Sequence, residues 1–264
     1  MSIAPAQTDA DGTARPISPA AAPLSPVTRD KLARCGSAGI SNALLKRGFR
    51  NTFLLGLQPL SPDQPAMVGP AFTLRFIPAR EDLDSMALYA RDDSLHRRAI
   101  EECPPGAVLL MATGGDARAS CMGDMMALRL KVRGAAGVVT DGGFRDSPGI
   151  RTTGLPCFQH TPSGPATPIA LHPVAFDQPV GCAGVAVYPG DVIVGDGEGV
   201  VCIPRHLADE VADEAFANFE YEAFAAAHIA RGRSIFGLFP ATPDSRIEYE
   251  AWVAAGRPSL ETKR

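Results

Sequence analysis

The chain has 264 residues, 45% of them hydrophobic and 20% charged, enough to bury the core of one large or two small domains. A formal charge of -4, with no Lys/Arg run interleaved with aromatics, excludes a nonspecific grip on phosphate backbones, so nucleic acid is not an expected partner. The longest apolar runs are strand-length, which leaves no membrane span. Six cysteines without a C-x-x-C pair, behind an N-terminus lacking the apolar core of a signal peptide, read as reduced thiols of a cytoplasmic protein.

Residues 1–26 are rich in Ala, Pro, Ser and Thr and carry almost no large apolar side chains, so burial cannot offset their ordering entropy and a disordered tail is expected. From Val27 the apolar positions Leu32, Ile40, Leu44 and Leu45 recur at helical spacing up to Gly48, as in one or two short helices. Met67–Ala79 reads as a strand interrupted by Pro70, with Arg75 facing solvent. Asp84–Cys103 has helical composition and stops at Pro104-Pro105-Gly106.

Gly106–Thr113 is a continuous apolar run, as in a strand buried on both faces. A loop follows, and then a helix in which Met125, Leu128 and Val132 keep a helical period up to Gly134. A second buried run, AAGVVTDGG, completes a β-loop-α-β unit whose post-strand loops meet at one sheet edge, where ligands of open α/β sheets collect. Beyond Arg145 and Asp146, TTGLPCFQHTPSGPATP reads as a loop. VGCAGVAVYPGDVIVGDGEGVVCIP reads as strands turned at PGD and GDGEG, and residues 205–231 as a long helix. The end from Phe236 to Arg264 mixes Pro with a short helical piece around Trp252, as in an arm that packs on the body or on a neighbouring subunit. A single domain over 27–239 with a C-terminal arm over 240–264 is therefore expected.

Two features of this unit carry chemistry. The helix start at Gly123–Met126 presents unpaired N–H groups that suit a carboxylate or phosphate; the alternative is that Asp124 only caps the helix. Arg145 can clamp a carboxylate or enolate oxygen and Asp146 can hold a hard divalent ion, against the alternative of a solvated ion pair in a turn. Their placement on one βαβ edge favours a site. Five separated histidines form no metal motif, so any metal is Mg2+ or Mn2+ held by few carboxylates. His160 can touch substrate or simply bond backbone. Cys121 is a packing residue, and GDGEG is a turn, because a strand rather than a helix follows it.

GPAFTLRF, PPGAVLLMATGGD, the GD-helix-RGAAGVVTDGGFRD block and PVGCAGVAVYPGDVIVGDGEGVVCIP together resemble the RraA-like family. That family contains class II 4-hydroxy-4-methyl-2-oxoglutarate / 4-carboxy-4-hydroxy-2-oxoadipate aldolases and the regulator of ribonuclease E activity. The resemblance covers about Val27 to Pro240. It implies an α/β fold, a swivelling β/β/α domain with a mixed sheet, assembled as a homotrimer or homohexamer with the site at the subunit interface.

By the same resemblance, Gly123, Asp124, Met125 and Met126 cradle a pyruvoyl carboxylate that Arg145 also binds. Asp146 holds Mg2+ or Mn2+ largely through waters, Asp124 orients a catalytic water, and a neighbouring subunit's C-terminal helix supplies Glu222 or Glu220. The implied activity is a metal-dependent lyase on a small-molecule 4-hydroxy-2-oxo acid. The alternatives are a non-catalytic ribonuclease regulator and a dehydratase-type lyase on a sugar-derived 2-oxo acid. Departures from the family pattern are Glu198 where Asp is common, His160 where a basic residue is expected, and the two tails.

Overall fold

A computed structural model describes residues 18–258. The helices are α1 (Pro26–Lys46), α2 (Met86–Tyr89), α3 (Leu95–Glu102), α4 (Asp124–Val132), α5 (Ser147–Thr152), α6 (Ala208–Ile229) and α7 (Pro243–Ala254). The strands are β1 (Phe53–Leu54), β2 (Gln58–Pro59), β3 (Met67–Pro78), β4 (Val108–Ala112), β5 (Ser120–Met122), β6 (Gly137–Thr140), β7 (Gly143–Phe144), β8 (Cys157–Gln159), β9 (Leu171–Phe176), β10 (Val180–Cys182), β11 (Val185–Val187), β12 (Val192–Gly195) and β13 (Val200–Ile203).

Nine strands form one mixed sheet in the order β1-β13-β12-β3-β4-β6-β8-β2, with β9 also on β3. β3, β4, β6 and β8 run parallel, so the loops leaving β4, β6 and β8 emerge at one edge. β3 joins the two halves of the sheet. Its Met67–Pro70 stretch pairs antiparallel with β12, and Ala71–Arg75 pairs parallel with β4. The strand thus runs unbroken through Pro70, which falls where the partners change, and Arg75 is exposed as expected.

Alternation along the central strands separates the cores. Leu109 and Met111 of β4 face a cluster with Ile100 of α3 and Ala127 and Leu130 of α4, while Val108 and Leu110 face a second cluster with β10, β11 and Phe158. A third core lies between α1, α6 and strands β12 and β13. Each fully buried Leu or Val here is worth about 1.5–3 kcal/mol relative to exposure. α1 bends at Gly36 (φ 70°), and the Asp196 carboxylate of the GDGEG hairpin caps the second half of the helix, accepting from Ser37 N at 2.6 Å and Ser37 Oγ at 2.9 Å. That Asp serves the fold and not a nucleotide.

Several elements depart from the sequence expectation. Residues 18–26 are packed, with Ala20 and Leu24 buried, whereas the tail was expected to reach 26; residues 1–17 lie outside the described residues. The 84–103 segment is two helices, because Ser85 and Ser94 each start a new one. The stretch read as a loop after Asp146 contains β8, a three-residue parallel strand framed by Pro156 and the Gly142 contacts of His160. On α4 the residues that set the helical period, Met125, Leu128 and Val132, are exposed, and Ala127 and Leu130 are buried. The C-terminal arm, by contrast, is as expected: it holds the helix α7, whose Tyr249 and Trp252 pack on Tyr221 and Phe224 of α6. Among the described residues no helix is long and apolar enough to cross a membrane.

Candidate active site

The edge formed by the loops after β4 and β6 is built around Asp141, a nearly fully buried carboxylate in the TDGG turn. It accepts from Thr113 N (2.6 Å), Thr113 Oγ1 (3.0 Å) and Gly115 N (3.1 Å) in the loop after β4, and from Ala183 N (3.4 Å). Donors converging on a buried charge hold both loops in register. The short parallel ladder β5–β7 then sets Gly123 beside Arg145, with Arg145 N donating to Met122 O at 3.0 Å.

Gly123 is the N-cap of α4, in extended conformation and without a side chain to cap the turn. A Cβ there would lie 2.8 Å from Asp146 Oδ2 and 3.2 Å from Arg145 Nε, so the absence of a side chain lets both groups close on the helix start. Asp124 Oδ1 accepts from Met125 N at 2.8 Å. The N–H groups of Asp124 and Met126 have no acceptor among the described residues and face the positive end of the helix. The Asp124 carboxylate also rests against Gly149 of α5, where a Cβ would come within 2.7 Å of Oδ2.

Arg145 Nε donates to Asp146 Oδ2 at 3.1 Å, and both side chains are 46% exposed. Asp146 is the N-cap of α5 and adopts a left-handed backbone (φ 55°, ψ 34°), a conformation that costs most L residues about 1–2 kcal/mol and that Asp tolerates better than most. That conformation turns its carboxylate back over Gly123. The cleft so enclosed has a volume of about 150 Å³ and includes Gly123, Asp124, Met125, Met126, Arg145 and Asp146 in its walls.

Its far wall was not foreseen. Met86 and Tyr89 of α2, Ser120 of β5 and Thr167 complete it. Ser120 Oγ and N both donate to Pro165 O, at 2.8 and 2.9 Å, and Thr167 Oγ1 donates to Ser120 O at 2.8 Å, which closes the 165–167 loop over β5. Tyr89 is the one aromatic residue of 84–103, which is the signal that could have found it.

Two expected contributors lie elsewhere. His160 leaves β8 at the correct edge, its N donating to Gly142 O, but its ring turns against Gly56 and does not line the cleft. Glu222 is exposed on α6, in the layer with α1, and Glu220 is already paired with Arg34 (3.3 Å) and Arg257. Cys121 is buried behind β5, donates to Thr140 Oγ1 at 3.3 Å, and has its pKa pushed up to about 12 by burial, in keeping with a packing role.

A mixed sheet with an anion-ready helix start facing an Arg–Asp pair defines the class, and comparison with known proteins gives it a family. The chain matches the RraA-like family (Aldolase/RraA) over residues 37–202, more than half its length, and belongs to that family. It is 28% identical to protein DlpA of Legionella pneumophila over 71% of this chain, though the match spans only 29% of DlpA. It is 32% identical to the 4-hydroxy-4-methyl-2-oxoglutarate aldolase of Thermus thermophilus over 43% of this chain and 69% of that protein. Among solved structures, Streptomyces coelicolor RraAS2, described as an unusual member of the RNase ES inhibitor RraA protein family, superposes with a TM-score of 0.67 at 35% identity, covering 77% of this chain and 97% of its own.

Proposed function

We propose that this chain is a divalent-metal-dependent lyase of the class II pyruvate aldolase or oxaloacetate decarboxylase type, cleaving a 4-hydroxy-2-oxo acid through a pyruvate enolate. The observation that carries this is the meeting of a guanidinium, two carboxylates and a helix N-terminus in one cleft of about 150 Å³, room for a pyruvate-sized anion. Similarity to a named aldolase supports the same activity.

The donors lining the cleft suit a hard metal ion. No thiol or imidazole lines the cleft, and among the described residues no group of three or more His, Cys, Asp or Glu forms a cage. Asp146 is a hard, half-exposed carboxylate, which fits Mg2+ or Mn2+ retaining several waters and does not fit a soft ion. Such an ion, when bound, supplies Lewis-acid polarisation of the 2-oxo group.

The chain's own groups do the rest. Arg145 and the free N–H groups at Asp124 and Met126 bind and orient the carboxylate of the 2-oxo acid. Asp124, whose Oδ2 has no hydrogen-bond partner among the described residues, orients a water that removes the C4 hydroxyl proton. As the C3–C4 bond breaks, its electron pair becomes the enolate, whose charge Arg145 stabilises, and protonation at C3 gives pyruvate. Glu222 would enter from a second copy in a homotrimer or homohexamer, and the exposed apolar Met125, Leu128 and Val132 beside the cleft support a subunit contact on that face.

A second reading, a ribonuclease-binding regulator, is favoured by the likeness to RraAS2. It leaves the convergence of Asp124, Arg145 and Asp146 without a purpose and ranks lower. The deciding experiment is a pyruvate-coupled screen of 4-hydroxy-2-oxo acids and oxaloacetate with Mg2+, Mn2+ or EDTA. Metal-dependent pyruvate release supports the lyase; release from none of them rejects it.

A further inference from the structure

The phenol of Tyr89 stands on the wall of the cleft. Tyr89 ends α2, a single turn pinned on both sides. Upstream, Asp84 accepts from Arg80 N at 2.8 Å and pairs with His172 Nδ1 of β9 at 2.6 Å, while Ser85 Oγ accepts from Leu88 N. Downstream, Arg97 donates to Ala90 O and Arg91 grips Asp93 at 2.6–2.8 Å. The ring is fixed in turn by His96 at 5.4 Å, which stands edge-on to Phe76.

So held, the ring is half-buried and its hydroxyl faces the cleft. It donates to the thioether of Met126, 3.9 Å away, a weak acceptor. The Thr167 hydroxyl is also close, and because its own proton goes to Ser120 O its oxygen is left as a second, neutral acceptor for the phenol. Burial pushes the phenol's pKa up, which keeps the group a neutral donor at physiological pH. Arg145 is near enough for its charge to be felt at the hydroxyl. A neutral O–H held only by neutral acceptors, in a cleft whose other wall is a cation, is complementary to an anion's oxygen, which accepts more strongly than either.

We propose that Tyr89 is a substrate-binding residue of this cleft, donating its phenolic proton to an oxygen of the anionic 2-oxo acid that Arg145 holds. This rests on the lyase reading and adds to it a contact from α2, a segment outside the GD and RD motifs. Tyr89 also stands on the wall shared with a larger neighbouring cavity of about 600 Å³, lined by Met86, Met125, Met126 and Arg129. Tyr89 is thus placed between the pyruvate-sized cleft and the space into which a longer acyl portion could extend.

The test is calorimetric titration of oxalate, a planar mimic of the pyruvate enolate, with Mg2+ into wild type, Tyr89→Phe and Arg145→Ala. Tyr89→Phe keeps the ring and its packing, so its Tm should match wild type, whereas its oxalate affinity should fall about ten- to hundredfold, the effect of losing a hydrogen bond to a charged group. In turnover the change should appear chiefly in KM. If wild type binds oxalate, Arg145→Ala does not, and Tyr89→Phe binds as wild type does, Tyr89 has no such role while the lyase assignment stands. A lower Tm with unchanged affinity makes it structural and overturns the proposal. If wild type itself binds no oxalate, the anion site and the Tyr89 contact both fall.

Discussion

Replacing Gly123 with Ala puts one methyl group into the narrowest point of the cleft. The new Cβ would sit 2.8 Å from Asp146 Oδ2 and 3.2 Å from Arg145 Nε, so the carboxylate must withdraw by roughly 0.6 Å to reach ordinary contact. Both side chains are 46% exposed and can yield into water, and φ -121°, ψ -175° is open to any residue. Folding should thus lose only the poorer capping of Ala, about 0.5–1 kcal/mol, and Tm should fall by about 1–4 °C. Catalysis should lose far more, because a misplacement approaching 1 Å can cost about a hundredfold. The expectation is a ten- to hundredfold fall in kcat/KM for metal-dependent pyruvate release, with far-UV circular dichroism unchanged. Full activity in Gly123→Ala would show that the approach of Asp146 and Arg145 to the helix start is irrelevant to turnover. A variant that unfolds would show that the contact is structural.

Other outcomes follow from the same geometry. Asp141→Asn sets an amide against donors that need a buried carboxylate; it should cost roughly 2–4 kcal/mol and lower Tm by roughly 4–16 °C in a thermal melt. His96 is fully buried, both ring nitrogens lack hydrogen-bond partners among the described residues, and burial pushes its pKa down to about 4, opposed only weakly by the Cys121 backbone. Because the folded state disfavours its protonation, the stability it permits is full above about pH 6.5 and falls as pH drops from there to about 4, by roughly 3 kcal/mol in total. Urea melts of His96→Phe should be flatter than wild type across that window, and equal slopes would count against it. Cys121, with its pKa near 12, should stay unmodified by iodoacetamide in the native protein and react after denaturation, as read by peptide mass spectrometry.

What could be read from the sequence was what is local. GAVLLMAT and AAGVVTDGG became β4 and β6 because uninterrupted apolar runs can be buried on both faces, and parallel pairing then forced Gly123 and Arg145 to one edge. β8 was missed because three residues between a Pro and a His carry no period. The helix α4 was legible but its buried face was not, because Met125, Leu128 and Val132 keep a helical spacing just as regular as that of the buried Ala127 and Leu130, and periodicity does not say which face turns inward. Beyond the lone aromatic that marks Tyr89, nothing local announces the far wall, because α2 and the 165–167 loop reach β5 and its Ser120 only through long-range packing. His160 was placed at the right edge by chain order, but the direction of its ring depends on Gly56, over 100 positions away. Asp141 was not singled out within AAGVVTDGG, since its role depends on loops that only the sheet brings together.

The central claim is that the cleft between Gly123 and Asp146 binds a pyruvate-type anion and turns it over, and Arg145 is its most exposed dependency. Initial rates of pyruvate release from oxaloacetate with Mg2+, wild type against Arg145→Ala, test it directly. The expected result is a robust wild-type rate that falls about 10²–10³-fold in the variant, the usual consequence of removing a donor that stabilises developing oxyanion charge. Equal rates in the two proteins would contradict the account.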